Sequence, residues 1–140
     1  MGHATDALLV YGYDLGGPGS EWLIQETDAY GGLIGMPWFN DEHPEADFPE
    51  AARLQLQEAL GEHRIRIVTH CSDKAESYFL AVDVTTARRG EPIVINFEDL
   101  TCSQHAGGWD ALLDQALDVL GITPYQSGPA WLLASYRDGA

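Results

Sequence analysis

Residues 77–86 read Ser-Tyr-Phe-Leu-Ala-Val-Asp-Val-Thr-Thr. Tyr78, Leu80, Val82 and Val84 alternate with Phe79, Ala81, Asp83 and Thr85, the period-two pattern of a strand in a pleated sheet. Two similar runs flank it, Arg64–His70 and Pro92–Phe97, each short, apolar and set off by turn residues. Their connectors are short, so the three runs predict an antiparallel meander.

Working outward, Asp47-Phe48-Pro49-Glu50 predicts a helix start: Asp47 can cap, Pro49 suits the first turn, and Glu50 stands at capping-box spacing. That helix runs to Leu60 and stops at Gly61. A second helix fits 108–120, where Trp109, Leu112, Leu113, Ala116, Leu117 and Leu120 recur on one face and Gly121 closes the run. Residues 5–13 read as a first strand, ended by the turn sequence Asp14-Leu15-Gly16-Gly17-Pro18-Gly19, and Glu21–Thr27 as its hairpin partner. Pro129–Tyr136 reads as the last strand. The order ββαβββαβ predicts an α+β fold, a mainly antiparallel sheet of about six strands carrying two helices. At 140 residues and 45% hydrophobic, the expected organisation is a single compact domain over 1–140. Between the second strand and the first helix, Asp28–Pro44 reads as a long ordered surface loop.

Charge is distributed unevenly. Every Lys and Arg follows position 52, whereas Asp6, Asp14, Glu21, Glu26, Asp28, Asp41, Glu42, Glu45, Asp47 and Glu50 precede it, and the formal net charge is −15. Such a surface is a poor direct ligand for nucleic acid or anionic lipid, which need Lys and Arg to replace counterions. The first residues lack a basic n-region and no run reaches membrane-spanning length, so the expected location is the cytoplasm, without a membrane. P-loop, dinucleotide, nucleophile-elbow and HExxH signatures are absent.

Three constellations remain. His70-Cys71 and Cys102-Ser103-Gln104-His105 carry thiolate and imidazole, the donors zinc prefers. In a meander, the ends of the third and fifth strands lie on one edge, so His70, Cys71, Cys102 and His105 could converge there. The same residues would allow a cysteine nucleophile with a histidine base, although neither cysteine sits where a helix N-terminus would lower its pKa. Burial of Cys71 as a small hydrophobe competes with both. Second, Asp41, Glu42, Glu45 and Asp47 lie beside Trp38-Phe39, where an exposed aromatic pair would serve as an interface anchor. Tucking of that pair onto the core is the alternative. Third, Asp110, Asp114 and Asp118 recur every four residues, about 6 Å apart along a helix axis, so the row resembles a line of phosphates. A solvated helix face gives the same pattern.

The segments TDALLVYGYDLGG, IVTHCSDKAESYFLAV, ARRGEPIVI and GPAWLLASY together resemble small proteins of unassigned activity encoded by bacteriophages of actinobacteria, with relatives in host genomes. The likeness is weakest over 28–50. It implies a small cytoplasmic phage-type protein made in a host cell and carries no functional residue with it. His70 and Cys71 fall inside the shared segments; Cys102 and His105 fall outside, which weakens the four-ligand zinc set. The expected function is therefore that of an accessory protein, not an enzyme, that binds and modulates a host protein with a basic surface, in its sharpest form as a DNA mimic against a defence factor. A small zinc protein or cysteine-dependent enzyme is the alternative. Self-association through an edge strand, as a homodimer, is a further expectation.

Overall fold

The computed structural model describes residues 5–19, 21–42, 45–70 and 76–137. The fold is α+β, with one four-stranded antiparallel sheet and four helices among these residues. In chain order the elements are β1 (Thr5–Gly16), α1 (Pro37–Asn40), α2 (Phe48–Leu60), β2 (Arg66–His70), β3 (Ser77–Ala87), α3 (Phe97–Gly107), α4 (Trp109–Leu120) and β4 (Ala130–Arg137). Strand order is β2-β3-β1-β4. The hairpin of β2 and β3 forms as the short connector requires. The third strand of the expected meander does not form, and β1 takes its place beside β3.

Two of the six expected strands are absent. Glu21–Thr27 makes only isolated bridges, Gly16↔Trp22, Ile24↔Pro124 and Thr27↔Leu33: it touches the end of β1 and then two separate loop positions in turn, so no ladder extends. Pro92–Phe97 is not a strand either. Pro92 has no N–H for a ladder, Val94 is 94% exposed, and Asn96 starts a helix by accepting the Asp99 N–H at 3.1 Å. Glu98 and Asp99 in its first turn favour the positive end of the helix dipole. The resulting α3 has no buried residue, so it carries no apolar stripe for a pattern to reveal.

The two expected helices form within a residue of their anticipated bounds. Asp47 Oδ1 accepts the Glu50 N–H at 3.0 Å and Pro49 sits in the first turn of α2. Gly121, with φ 66°, ends α4, its N–H meeting the carbonyls of Asp118 and Leu117. One face of the sheet packs under α2 and α4, joining Tyr11, Tyr13, Leu80 and Val82 to Leu56, Trp109, Leu113 and Leu120. The opposite face buries a smaller cluster, Leu8, Val10, Phe79 and Ala81.

The alternation within β3 is broken. Tyr11 pairs with Asp83 and Gly12 with Ala81, so Val82 is an extra residue, a bulge. Tyr78, Leu80 and Val82 face the helices, whereas beyond the bulge Val84 crosses to the other side with Val10. Gly12 makes the bulge possible, since a Cβ there would collide with the Leu80 carbonyl oxygen. No helix among the described residues is long and apolar enough to cross a membrane.

Candidate functional site

The acid row of α4 is set by how that helix is buried. Trp109, Leu113, Ala116 and Leu120 point into the core, which leaves Asp110, Asp114 and Asp118 exposed on the outer side. Asp110 also ties the helix to the sheet: the Tyr11 hydroxyl donates to its Oδ1 at 2.7 Å, and Gln104 Nε2 donates to Tyr11 at 2.8 Å. Burial, reinforced by that carboxylate, pushes the Tyr11 phenol up to about 12. Tyr13 is shifted upward as well, by burial and then by Asp114 and Asp110. Asp114 and Asp118 have no side-chain hydrogen bond or ion pair among the described residues.

Trp38 is not a surface anchor. It is 4% exposed, and its indole N–H donates to the Leu120 carbonyl at 2.8 Å. Its ring packs against Phe48 at 5.6 Å, and half-buried Phe39 meets the edge of Phe48 at 5.4 Å. Both aromatics are part of the core, so the expected anchor is replaced by a pin that holds the loop to the C-terminal end of α4. One consequence concerns the acids. Glu42 and Asp118 now line the same recess of about 220 Å³, with Gln55 and Gly121. Glu42 and Asp118, seventy-six residues apart in sequence, thus bring one loop acid to the end of the helix row.

The remaining loop acids differ in role. Asp41 and Glu45 are exposed. Asp47 is exposed too, but its carboxylate is occupied in capping α2. His43 and Pro44 of the same loop lie outside the described residues. Two ion pairs occur among the described residues, Arg53 with Glu50 and Arg64 with Asp83. Neither involves an acid of the row or the Glu42 recess.

The zinc constellation is not assembled by the described residues. Cys71 lies outside them. His70 ends β2, at the outer edge of the sheet, where its ring stacks on Phe79 at 4.2 Å. Burial pulls its pKa down, opposed by Asp14. Cys102 and His105 stand exposed on α3, whose Gln104 reaches Tyr11 on β1, an inner strand. The expected convergence required a fifth strand at Pro92–Phe97, where the chain instead runs without regular structure into the start of α3. Among the described residues no three His, Cys, Asp or Glu side chains are grouped to hold a metal.

Of the two readings of Trp38-Phe39, the structure takes the tucked one, with Met36 and Trp38 buried and Phe39 packed against the core beside Phe48. Compared with protein-family models, curated proteins and solved structures, the chain matches none.

Proposed function

We propose that this protein is a non-enzymatic accessory factor whose acidic face, formed by Asp41, Glu42, Asp114 and Asp118 with Asp110 at one end, binds a protein with a basic groove in place of nucleic acid. One observation carries the reading: the Trp38 to Leu120 hydrogen bond joins the loop acids to the helix row across a shared recess. Isolated acid clusters are ordinary solvated surface. A pinned, extended set with no ion pair among the described residues is the arrangement that a phosphate-binding groove complements.

From Asp110 to Asp118 the row spans about 12 Å of helix axis, and Glu42 extends it beyond Asp118. The resemblance to actinobacteriophage proteins supplies the setting, a host cell in which such a factor would meet a nucleic-acid-binding defence or regulatory protein. The test is capture from an actinobacterial lysate followed by competition with duplex DNA. The captured protein should bind DNA by itself and lose that binding stoichiometrically as this protein is added. Capture of a protein whose DNA binding is unaffected would refute the mimicry.

A further inference from the structure

The turn after β1, residues 21–32 and residues 123–125 meet on one side of the fold. Gly17 N–H donates to the Glu21 carbonyl at 3.2 Å, Tyr125 N–H to the Leu23 carbonyl at 2.9 Å and Gln25 N–H to the Thr123 carbonyl at 2.9 Å. Asp28 then closes a turn, its Oδ1 accepting the N–H groups of Tyr30 at 2.8 Å and Gly32 at 2.9 Å. Between these segments lies a recess of about 500 Å³ whose walls include Pro18, Glu21, Trp22, Thr27, Tyr30 and Tyr125. Its volume is that of a small-molecule site.

Three of the lining side chains are aromatic. Trp22 is half-buried, with its ring stacked on Tyr78 at 5.7 Å and tilted against Phe48 at 5.2 Å. Tyr125 and Tyr30 are 59% and 97% exposed. The turn that carries Tyr30 is closed by Asp28 and by the Thr27↔Leu33 bridge, so the Tyr30 ring has no part in holding it. Aromatic rings left in water on fixed turns around one concavity belong to a binding site rather than to a core.

The charged group among them decides the ligand. Glu21 is exposed, and its carboxylate forms no side-chain hydrogen bond or ion pair among the described residues. Among those residues no Lys, Arg or His lines the recess, so an anion would be repelled. One carboxylate supplies too few oxygens for a bare metal ion, and a primary ammonium holds a hydration shell that ring faces do not replace. An alkylated ammonium keeps its charge, sheds water readily and is attracted by aromatic faces. We propose that this recess binds a methylated ammonium cation, its methyl groups against Trp22, Tyr30 and Tyr125 and its charge balanced by Glu21. The site is separate from the acidic face and does not depend on it.

The probe is choline, titrated into the isotope-labelled full chain and followed by amide NMR. Sodium chloride holds the ionic strength constant, which removes general attraction to a chain of net charge −15. The expected result is saturable binding, millimolar or tighter, with shifts confined to 17–32 and 123–126 and a shift of the Trp22 indole N–H. Tyr30→Ala and Glu21→Gln should each weaken it at least about threefold, with thermal unfolding unchanged because both side chains are exposed. The neutral tert-butyl isostere of choline should bind far more weakly. A peptide carrying trimethyllysine separates the two sources of such a cation: tighter binding than choline assigns the site to a modified protein side chain, weaker binding to a small molecule. Equal binding of the neutral isostere would overturn the choice of a cation. No saturable shift at tens of millimolar choline, or an affinity unchanged in both variants, would overturn the site.

Discussion

Trp38→Phe tests the bond that pins the loop to the end of α4. Leu120 is the last residue of α4, and the final carbonyls of a helix have no partner within it. The Gly121 N–H goes to Asp118 and Leu117 instead, so the Leu120 carbonyl relies on the Trp38 indole at 2.8 Å. Phenylalanine keeps an aromatic ring against Phe39 and Phe48 but has no donor. Leaving that buried carbonyl without its partner costs about 1–3 kcal/mol, and the lost part of the indole adds about 1 kcal/mol of packing. The expected loss is thus about 2–4 kcal/mol, or a fall in Tm of roughly 5–15 °C for a chain of this length. Urea unfolding followed by circular dichroism measures it, with the m value unchanged if the unfolded state is unaffected. Amide exchange over 36–42 should accelerate as the turn is released. A loss below about 0.5 kcal/mol, within the range of ordinary surface substitutions, would show that the loop is held by something other than this bond.

Other expectations follow from the same geometry. Gly12→Ala places a methyl group on the Leu80 carbonyl oxygen and should cost at least about 1–3 kcal/mol in the same urea experiment, whereas Gly128→Ala, where a Cβ meets nothing nearby, should cost far less. Tyr11 should be silent in the pH 10 step of an absorbance titration at the phenolate band, since its pKa is raised to about 12; Tyr11→Phe should leave that step's amplitude unchanged. Because its folded pKa lies above the ordinary value of about 10, Tyr11 contributes stability that is complete below pH 10 and lost as pH rises toward 12. Asp110→Asn should lower the Tyr11 pKa only partway, as burial is the larger cause. The His70 ring should titrate in proton NMR below the ordinary value of about 6.5, so its neutral form contributes stability above that pH which is lost on acidification. Asp14→Asn should lower its pKa further, by removing the one carboxylate that opposes the shift.

Local chemistry was legible wherever one side chain or one face decides the outcome. Asp47 and Pro49 announce α2, and the glycines at 108 and 121 bound α4, because caps and stops act within a few residues. The apolar alternation around Tyr78 and Leu80 announces β3, but it could not reveal the bulge at Val82, which depends on Gly12 yielding space across the strand pair. Insertion of β1 between β3 and β4 was equally hidden, since pairing distant in sequence leaves no mark on local pattern. Ile93 and Val94 misled because apolar residues signal burial only when a partner exists, and Val94 has none to cover it. The acid row of α4 was readable from its four-residue spacing. The recess that Glu42 shares with Asp118 was not, because it lies where one indole is bonded across the fold.

Binding of the acidic face to a basic partner through charge, as proposed, makes affinity depend on salt. The most direct measurement is the affinity of the captured partner for the wild-type protein and for a Glu42→Gln, Asp114→Asn, Asp118→Asn variant, each from about 50 to about 500 mM salt, a range over which exposed charges become screened. None of the three acids supports the fold through a hydrogen bond or ion pair among the described residues, so the variant should keep its thermal stability. The expected result is wild-type affinity falling at least about tenfold across the range, with the variant weaker at low salt and markedly less salt-dependent. Equal affinity and equal salt dependence of the two proteins would contradict the account.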